Sequence, residues 1–216
     1  MLRKLPIIGV LGRGEALNEE RTLLAREAGA MIARLRAHLL TGGGYGVMEA
    51  AAEGFTAVLE RAGLSIGIIP REPDGPFDRP NRSLDGQRYP NRFVEIAIFT
   101  PLPPRAADWQ AIPVRNHINI FTPHAIVALP GGAGTRNELD MAAFYREESE
   151  RQPQDRRTVL IGPASEFTPE HRNLFVHAGT LAEAERHLRR VLTAGGFPLE
   201  TVRRDGSSRS TAASDP

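Results

Sequence analysis

The 216-residue sequence predicts an α/β fold, in which helices flank a mostly parallel sheet of six or seven strands. Short apolar runs rich in β-branched residues alternate with longer segments of helical periodicity, a pattern typical of a parallel sheet covered on both faces. Glycine-rich turns follow several of these runs directly. Such turns are typical of the points where a strand leads into a helix in three-layer folds.

The first strand is predicted from an apolar run at residues 5–11, Leu5-Pro-Ile-Ile-Gly-Val-Leu11. Gly12 and Gly14 follow it. Asn18 is a good N-cap for the next helix, because its side chain can accept a hydrogen bond from a free backbone N–H of the first turn. Strand, glycine turn and helix in this order indicate a Rossmann-like unit.

A second unit of the same kind begins at His38–Thr41, a short predicted strand followed by the glycine-rich residues 42–46. Apolar residues from Val47 to Leu59 then have helical spacing, and Gly63 stands where a C-terminal cap is expected. The next predicted strands are Ser65–Ile69 and Phe93–Phe99, separated by a proline- and arginine-rich loop at residues 71–92.

Two interpretations of this loop remain open: a lid whose arginines contact an anionic ligand, or a solvated surface loop.

Beyond it, Pro113 can begin a short helix. We expect its apolar side to contain Val114, Ile118 and Phe121. Arg115 and Asn119, four residues apart, share a neighbouring face. An arginine on a short helix is usually a surface residue, although this helix leads directly towards the central glycine turn.

The central stretch begins with a buried strand at Ala125–Leu129 and continues through three glycines into a helix. Glycines allow close approach to the backbone, and free N–H groups together with the helix dipole attract an anion, most naturally a phosphate. This turn and the earlier ones are the candidate phosphate- or nucleotide-binding site. Its predicted residues are Gly12, Gly43, Gly44, Gly46, Gly131, Gly132, Ala133, Gly134 and Thr135.

Thr135 and Glu138 have the spacing of a capping box at the start of the central helix. A carboxylate on the first helical turn next to a phosphate site is also well placed for acid or base chemistry on the sugar of a nucleotide. The two interpretations are compatible. No loop fits the G-x-G-x-x-G fingerprint, so a mononucleotide is favoured over NAD or FAD.

The chain is completed by predicted strands at Arg157–Ile161 and Leu174–Val176 and by a helix with a capping box at Thr180 and Glu183. Residues 203–216 have the composition of a disordered tail. We therefore predict a single domain over residues 1–200.

Composition excludes several classes of function. Cysteine is absent, and Lys4 is the single lysine, so thiolate chemistry, a pyridoxal Schiff base and a G-K-[ST] loop are excluded. The net charge of +1 gives no signal for nucleic acid or a membrane surface. No apolar run approaches the roughly 20 residues of a membrane span, and no histidine spacing indicates a metal. We expect a cytoplasmic protein with no metal and no resident cofactor.

Two motifs give the sequence a family resemblance. Residues 41–50, Thr-Gly-Gly-Gly-Tyr-Gly-Val-Met-Glu-Ala, and residues 130–138, Pro-Gly-Gly-Ala-Gly-Thr-Arg-Asn-Glu, resemble the paired motifs of the LOG (Lonely Guy) family, also called lysine decarboxylase-like. The resemblance implies a Rossmann-like homodimer or homotetramer that hydrolyses nucleoside 5′-monophosphates to free base and ribose 5-phosphate. It implies Arg115 and Glu138 as the catalytic pair.

A subgroup resemblance points to a second function. Residues 8–16, 46–50, 90–95 and 115–118 are similar to LOG-related proteins that include molybdenum cofactor carriers. That similarity implies a binding protein for a phosphorylated pterin or nucleotide, without turnover. Hydrolase and carrier use the same phosphate cradles, and the sequence leaves both open.

Overall fold

The computed structural model describes residues 4–70, 82, 86–103, 106–148 and 157–197. Within this part of the chain, one sheet of seven parallel strands is flanked by six α-helices. The strands are β1 (Ile7–Leu11), β2 (His38–Thr41), β3 (Ser65–Pro70), β4 (Ile96–Thr100), β5 (Ala125–Ala128), β6 (Thr158–Ile161) and β7 (Val176–Ala178). The helices are α1 (Glu19–Arg34), α2 (Val47–Thr56), α3 (Arg115–Phe121), α4 (Ala133–Glu148), α5 (Pro169–Leu174) and α6 (Leu181–Ala194).

The strand order is β4-β3-β2-β1-β5-β6-β7, and every neighbouring pair is parallel. The chain builds one half of the sheet from β1 outwards to β4. It then returns to place β5 on the other side of β1. In open sheets of this kind, ligands bind at the carboxyl ends of the strands where the direction of winding reverses. That point lies between β1 and β5.

Two apolar layers cover the sheet and confirm the three-layer Rossmann-like prediction. Helices α1, α2 and α6 pack on one face, where β5 presents Val127. Helices α3 and α4 pack on the other face, where the next residues of β5 and β1, Ala128 and Leu11, contribute to a separate cluster. Because successive residues of a strand point to opposite faces, one short strand supplies both layers.

The backbones of α1 and α2 touch. A Cβ at Gly29 would lie 1.8 Å from the carbonyl oxygen of Ala51, and one at Gly54 would lie 2.0 Å from that of Arg26. No side chain fits at either position, so these two glycines set the distance between the helices. That distance in turn places the N-terminus of α2 beside the end of β1.

Helix α2 is shorter than its periodicity predicted. It ends at Thr56, and Leu59, expected on its apolar face, is 91% exposed. Gly63 is not the C-terminal cap of this helix. Its Cβ would lie 1.9 Å from the carbonyl oxygen of Ala37, so glycine is required there because two backbone segments pass closely.

Several strand boundaries also differ from the predicted ones: β1 begins at Ile7 rather than Leu5, β3 ends at Pro70 rather than Ile69, and β6 begins at Thr158 rather than Arg157. The fourth strand begins at Ile96 rather than Phe93, because Val94 N–H bonds the carbonyl of Asn91 in a turn. The central strand ends at Ala128, and the last strand begins at Val176 because Leu174 ends α5, a helix capped by Thr168 that the sequence did not predict.

Other predictions concern residues outside the described part of the chain. They include the tail at 203–216 and most of the 71–92 loop. Among the described helices, none has the length and apolar character needed to cross a membrane.

We expect Gly29→Ala to lower the free energy of unfolding by about 3 kcal/mol or more, because its methyl group overlaps the backbone of α2. Chemical denaturation of the variant and wild type measures this loss. Glu27→Ala, on the exposed side of the same helix, is the control and is expected to change stability by less than about 0.5 kcal/mol. A stable Gly29→Ala variant would contradict the close packing of α1 on α2.

Candidate functional site

The three glycine turns predicted from the sequence lie at one edge of the sheet. They follow β1, β2 and β5, which are adjacent in the order β2-β1-β5 and run in the same direction. The carboxyl ends of parallel neighbours meet at the same edge, so the turns converge rather than open on opposite sides. The candidate site is therefore formed by the turn after β5, the turn after β2 and the helices that enter this edge.

The turn after β5 contains the position most open to a ligand. Helix α4 begins at Ala133, and the N–H groups of its first turn, including those of Gly134 and Thr135, have no acceptor within the helix. Around Gly132, no heavy atom of the described residues lies within 4 Å of the place a Cβ would take. A phosphate can therefore approach this backbone closely and meet the positive end of the helix dipole.

The neighbouring Gly131 has a different reason to be glycine. A Cβ there would lie 2.0 Å from Thr135 Oγ1, so the threonine side chain is folded beneath the turn. Thr135 is buried, and its hydroxyl has no hydrogen-bond partner among the described residues. The two glycines of this turn thus serve separate purposes: one accommodates Thr135, and the other leaves the backbone accessible.

The glycines of the turn after β2 are explained by protein contacts. Gly46 has a φ of 61°, and a Cβ there would lie 2.4 Å from the carbonyl oxygens of Arg13 and Glu15. The first N–H of α2, at Val47, donates to Arg13 O at 2.8 Å. Val47 also fills the space beside Gly12, because a Cβ at Gly12 would lie 2.5 Å from Val47 Cγ1.

Gly43 and Gly44 are enclosed as well. Gly43 has a φ of 70°, and a Cβ there would lie 2.2 Å from Ile69 Cδ1. At Gly44 a Cβ would lie 2.8 Å from both Met48 Cε and Tyr89 Cε1. The ligand-binding role of Gly12, Gly43, Gly44 and Gly46 stays a prediction, since packing alone accounts for these glycines.

Asn91 closes the turn after β2 from the other side. Its backbone N–H donates to Gly43 O at 2.8 Å, and its side-chain Nδ2 donates to Gly44 O at 2.6 Å. Tyr45 adds a bond from its hydroxyl to the carbonyl of Arg88 at 2.6 Å. The last residues of the long loop are therefore part of the site's framework. Asn91 was not singled out as a site residue in the sequence, where it reads as a loop residue.

Arg115 is buried, contrary to the usual position of an arginine on a short helix. Its side chain is 8% exposed, and Nη1 donates to Gly42 O at 2.9 Å and to Ile68 O at 3.2 Å. A Cβ at Gly42 would lie 2.0 Å from this nitrogen, so only glycine admits the guanidinium. Arg115 thereby carries a positive charge to the ends of β2 and β3, beneath the second glycine turn.

Glu138 lies in the second turn of α4, not in the first as predicted. The helix begins at Ala133, which makes Thr135 its third residue and Glu138 its sixth. The capping box is therefore not formed, and the hydroxyl of Thr135 stays without a partner in the described structure. The partly buried carboxylate instead accepts a hydrogen bond from Asn119 Nδ2, at 3.2 Å from Oε1.

Helix α3 reaches both parts of the site. Arg115, at its first residue, contacts the β2 and β3 ends, and Asn119, one turn later, contacts Glu138 on α4. His117 fixes this helix: its Nδ1 accepts from Val114 N–H at 3.0 Å, and its Nε2 bonds Tyr145 Oη at 3.0 Å. The sequence placed Arg115 and Asn119 on one face by their spacing but gave no signal that His117 holds the helix.

No metal centre is present in the described part of the chain, where no three His, Cys, Asp or Glu side chains are grouped suitably for an ion. The predicted phosphate-binding residues and the pair Arg115 and Glu138 do lie at the same edge of the sheet. What the arrangement offers chemically is an anion cradle, a carboxylate on the same helix and a buried guanidinium beneath the neighbouring turn.

Comparison with known proteins shows the same architecture elsewhere. Residues 5–148 match the model of the SLOG cluster4 family. An uncharacterised protein of Archaeoglobus fulgidus is 32% identical over 139 residues, which are 64% of this chain and 74% of that protein.

Solved structures extend the likeness over more of the chain. The molybdenum cofactor carrier protein of Chlamydomonas reinhardtii is 26% identical, with a TM-score of 0.60 over 88% of this chain and 99% of the carrier. The molybdenum cofactor binding protein of Rippkaea orientalis is also 26% identical, with a TM-score of 0.58 over 88% and 97%.

We expect Gly132→Ala to weaken binding of 5′-AMP about tenfold or more, because the methyl group occupies the space through which a phosphate reaches the backbone. The melting temperature should stay within about 2 °C of wild type, since nothing in the described protein opposes the methyl group. Calorimetric titration and thermal unfolding measure the two quantities.

Gly195→Ala is the matched control, because it adds the same methyl group at the end of α6, in ordinary contact with Leu192 and Val191. It should leave both affinity and melting temperature unchanged. Equal affinities for Gly132→Ala and wild type would remove Gly132 from the ligand site.

Proposed function

Because the chain belongs to the SLOG cluster4 family and its site combines an open anion cradle with an oriented carboxylate, we propose that it hydrolyses the N-glycosidic bond of nucleoside 5′-monophosphates. The products are the free base and ribose 5-phosphate. This is the activity implied by the resemblance of residues 41–50 and 130–138 to the LOG family. The observation that carries it is the placement of Glu138.

Glu138 and the cradle are parts of one helix. Glu138 lies six positions after Gly132, which corresponds to roughly 9 Å along the axis of α4. Side chains on a helix lean towards its N-terminus, so the carboxylate reaches back towards the cradle. A phosphate held at Gly132 therefore brings the attached ribose alongside Glu138. This spacing favours chemistry at the sugar rather than at the phosphate.

In the proposed reaction, the bond between C1′ and the base nitrogen breaks, and its electron pair leaves with the base. The sugar acquires positive charge at C1′ in the transition state, which the negative charge of Glu138 stabilises. Glu138 also accepts a proton from the attacking water, whose oxygen forms the new bond to C1′. The departing base nitrogen takes up a proton from solvent, and Glu138 returns the proton it accepted to solvent, so that overall one water supplies OH to C1′ and H to the base.

Arg115 acts through the framework in this proposal. Its Nη1 donates to the carbonyls of Gly42 and Ile68, while Asn119 donates to the Glu138 carboxylate. The guanidinium therefore fixes the turn after β2 and adds positive potential beneath it, which favours an anionic ligand. Loss of Arg115 is expected to affect ligand affinity and stability together.

A second candidate function is favoured by the relatives. The two solved structures at 26% identity are described as a molybdenum cofactor carrier and a molybdenum cofactor binding protein, and the likeness spans 97% or more of each. In a carrier, the amides at Gly132–Thr135 would hold the phosphate of the pterin, and Glu138 would orient the ligand without turnover. The predicted homodimer or homotetramer remains a prediction under both functions.

One experiment separates the two functions. The purified protein is incubated with a panel of nucleoside 5′-monophosphates, and free bases and ribose 5-phosphate are detected by mass spectrometry. Stoichiometric release of both products over many turnovers supports the hydrolase. Saturable binding of molybdenum cofactor, with no base released from any monophosphate, would instead support the carrier.

We expect Glu138→Gln to lower kcat about 100-fold or more, because the amide neither accepts the proton nor carries negative charge. The affinity for 5′-AMP should change less than about threefold, since the cradle at Gly132 is intact. Single-turnover assays and calorimetric titration measure the two effects. Glu27→Gln, an exposed carboxylate on α1, is the control, and ordinary turnover by Glu138→Gln would exclude Glu138 from the chemistry.

A further inference from the structure

Asn119 is the buried side chain that contacts the carboxylate of Glu138. It lies on α3, is 2% exposed, and its Nδ2 is 3.2 Å from Glu138 Oε1. We propose that Asn119 is a positioning residue: it holds Glu138 in the orientation required at C1′ without contacting the ligand. This inference rests on the proposed hydrolase function, and its test is arranged so that the two can fail separately.

The orientation of the Asn119 amide follows from its partner. An ionised carboxylate only accepts hydrogen bonds, so Nδ2 must face Glu138 and Oδ1 must point elsewhere. Oδ1 is buried and has no hydrogen-bond partner among the residues that the structure describes. A buried acceptor without a partner costs free energy, and an isosteric leucine would avoid that cost. Asn119 is therefore better explained by its effect on the orientation of Glu138 than by a contribution to stability.

The support behind Asn119 is rigid. At the start of α3, Arg115 is bonded to the carbonyls of Gly42 and Ile68. Two residues later, His117 is bonded to Tyr145, which belongs to α4, the helix that also carries Glu138. The His117–Tyr145 bond ties α3 to α4 and so fixes the distance from Asn119 to Glu138.

An amide is suited to this task because it is neutral. A guanidinium bonded to Glu138 would cancel the negative charge that the positively charged sugar needs in the transition state. Asn119 donates one hydrogen bond to the carboxylate and adds no positive charge of its own. The structure accordingly separates the two roles on one helix: the cation Arg115 lies at the β2 and β3 ends, and the neutral Asn119 contacts the carboxylate.

The test compares Asn119→Leu and Asn119→Ala with wild type. The leucine keeps the approximate size of the side chain, and both variants remove the donor. We expect kcat to fall about 10- to 100-fold and KM for 5′-AMP to change less than about threefold. The melting temperature of Asn119→Leu should not fall, since the variant also removes a buried unsatisfied oxygen. If the leucine variant does not fold, Asn119→Ala provides the kinetic result.

Ile118→Leu is the matched control. It changes the neighbouring side chain of α3, which packs on Leu40, Ile66 and Ile68, without changing its volume. We expect its kcat to stay within about twofold of wild type. A general disturbance of α3 would lower kcat in this variant too, and would overturn the specific role of Asn119.

A double-mutant cycle tests whether Asn119 acts through Glu138. In the Glu138→Gln background, Asn119→Leu should cause little further loss of kcat, because the group it positions is already inactive. Full additivity of the two losses would overturn the proposal. A rise in KM with unchanged kcat would also overturn it, since that result indicates a direct ligand contact.

Crystal structures of wild type and Asn119→Leu provide a readout that does not depend on turnover. The proposal requires the Glu138 carboxylate to leave its wild-type rotamer in the variant. If wild type releases no base from any monophosphate, the hydrolase proposal fails, and the rotamer alone decides the positioning role. An unchanged Glu138 rotamer in Asn119→Leu would overturn that role whatever the activity.

Discussion

The site depends on the burial of one positive charge at the carboxyl edge of the sheet. A buried guanidinium is tolerated where polar groups replace its hydration, and here the carbonyls of Gly42 and Ile68 accept from Nη1, while Nε has no partner among the described residues. The contact requires glycine at position 42, because any Cβ would overlap Nη1. It also fixes the first residue of α3, and through that helix the position of Asn119 opposite Glu138. The hydrogen bonds of Arg115 Nη1 therefore connect α3 to the ends of β2 and β3, and α3 in turn carries the residue that contacts Glu138.

Glycine is required at this edge for three different structural reasons, although the sequence shows only one glycine-rich pattern. Gly46 is glycine because its φ is positive and carbonyl oxygens surround it. Gly131 is glycine because Thr135 lies against it, while Gly132 faces open space. A motif rich in glycine therefore marks a region rather than a set of ligand contacts. The contacts have to be separated by asking what a side chain at each position would meet.

The family match bears on the fold of the chain, whereas the likeness to carrier proteins bears on whether a bound ligand is cleaved. The family match and the parallel seven-stranded sheet establish the architecture, and in open sheets of this kind ligands are expected at the carboxyl edge of the strands. Whether that ligand is cleaved depends on one carboxylate and on how it is held. The same cradle serves a hydrolase or a carrier, because a phosphate is bound identically whatever happens at the far side of the sugar.

The sequence by itself determined the layers and the order of the first elements, because buried parallel strands and amphipathic helices have periodicities that depend on local residues alone. It also located the glycine turns and, through the resemblance, predicted Arg115 and Glu138 as a catalytic pair. Only the tertiary structure decided which partner each of them has. The spacing of Thr135 and Glu138 allowed a capping box at the start of α4. Because α4 begins at Ala133, the box is not formed, and the Glu138 carboxylate accepts a hydrogen bond from Asn119. The burial of Arg115 was likewise decided by contacts between segments distant in sequence, which no local pattern records.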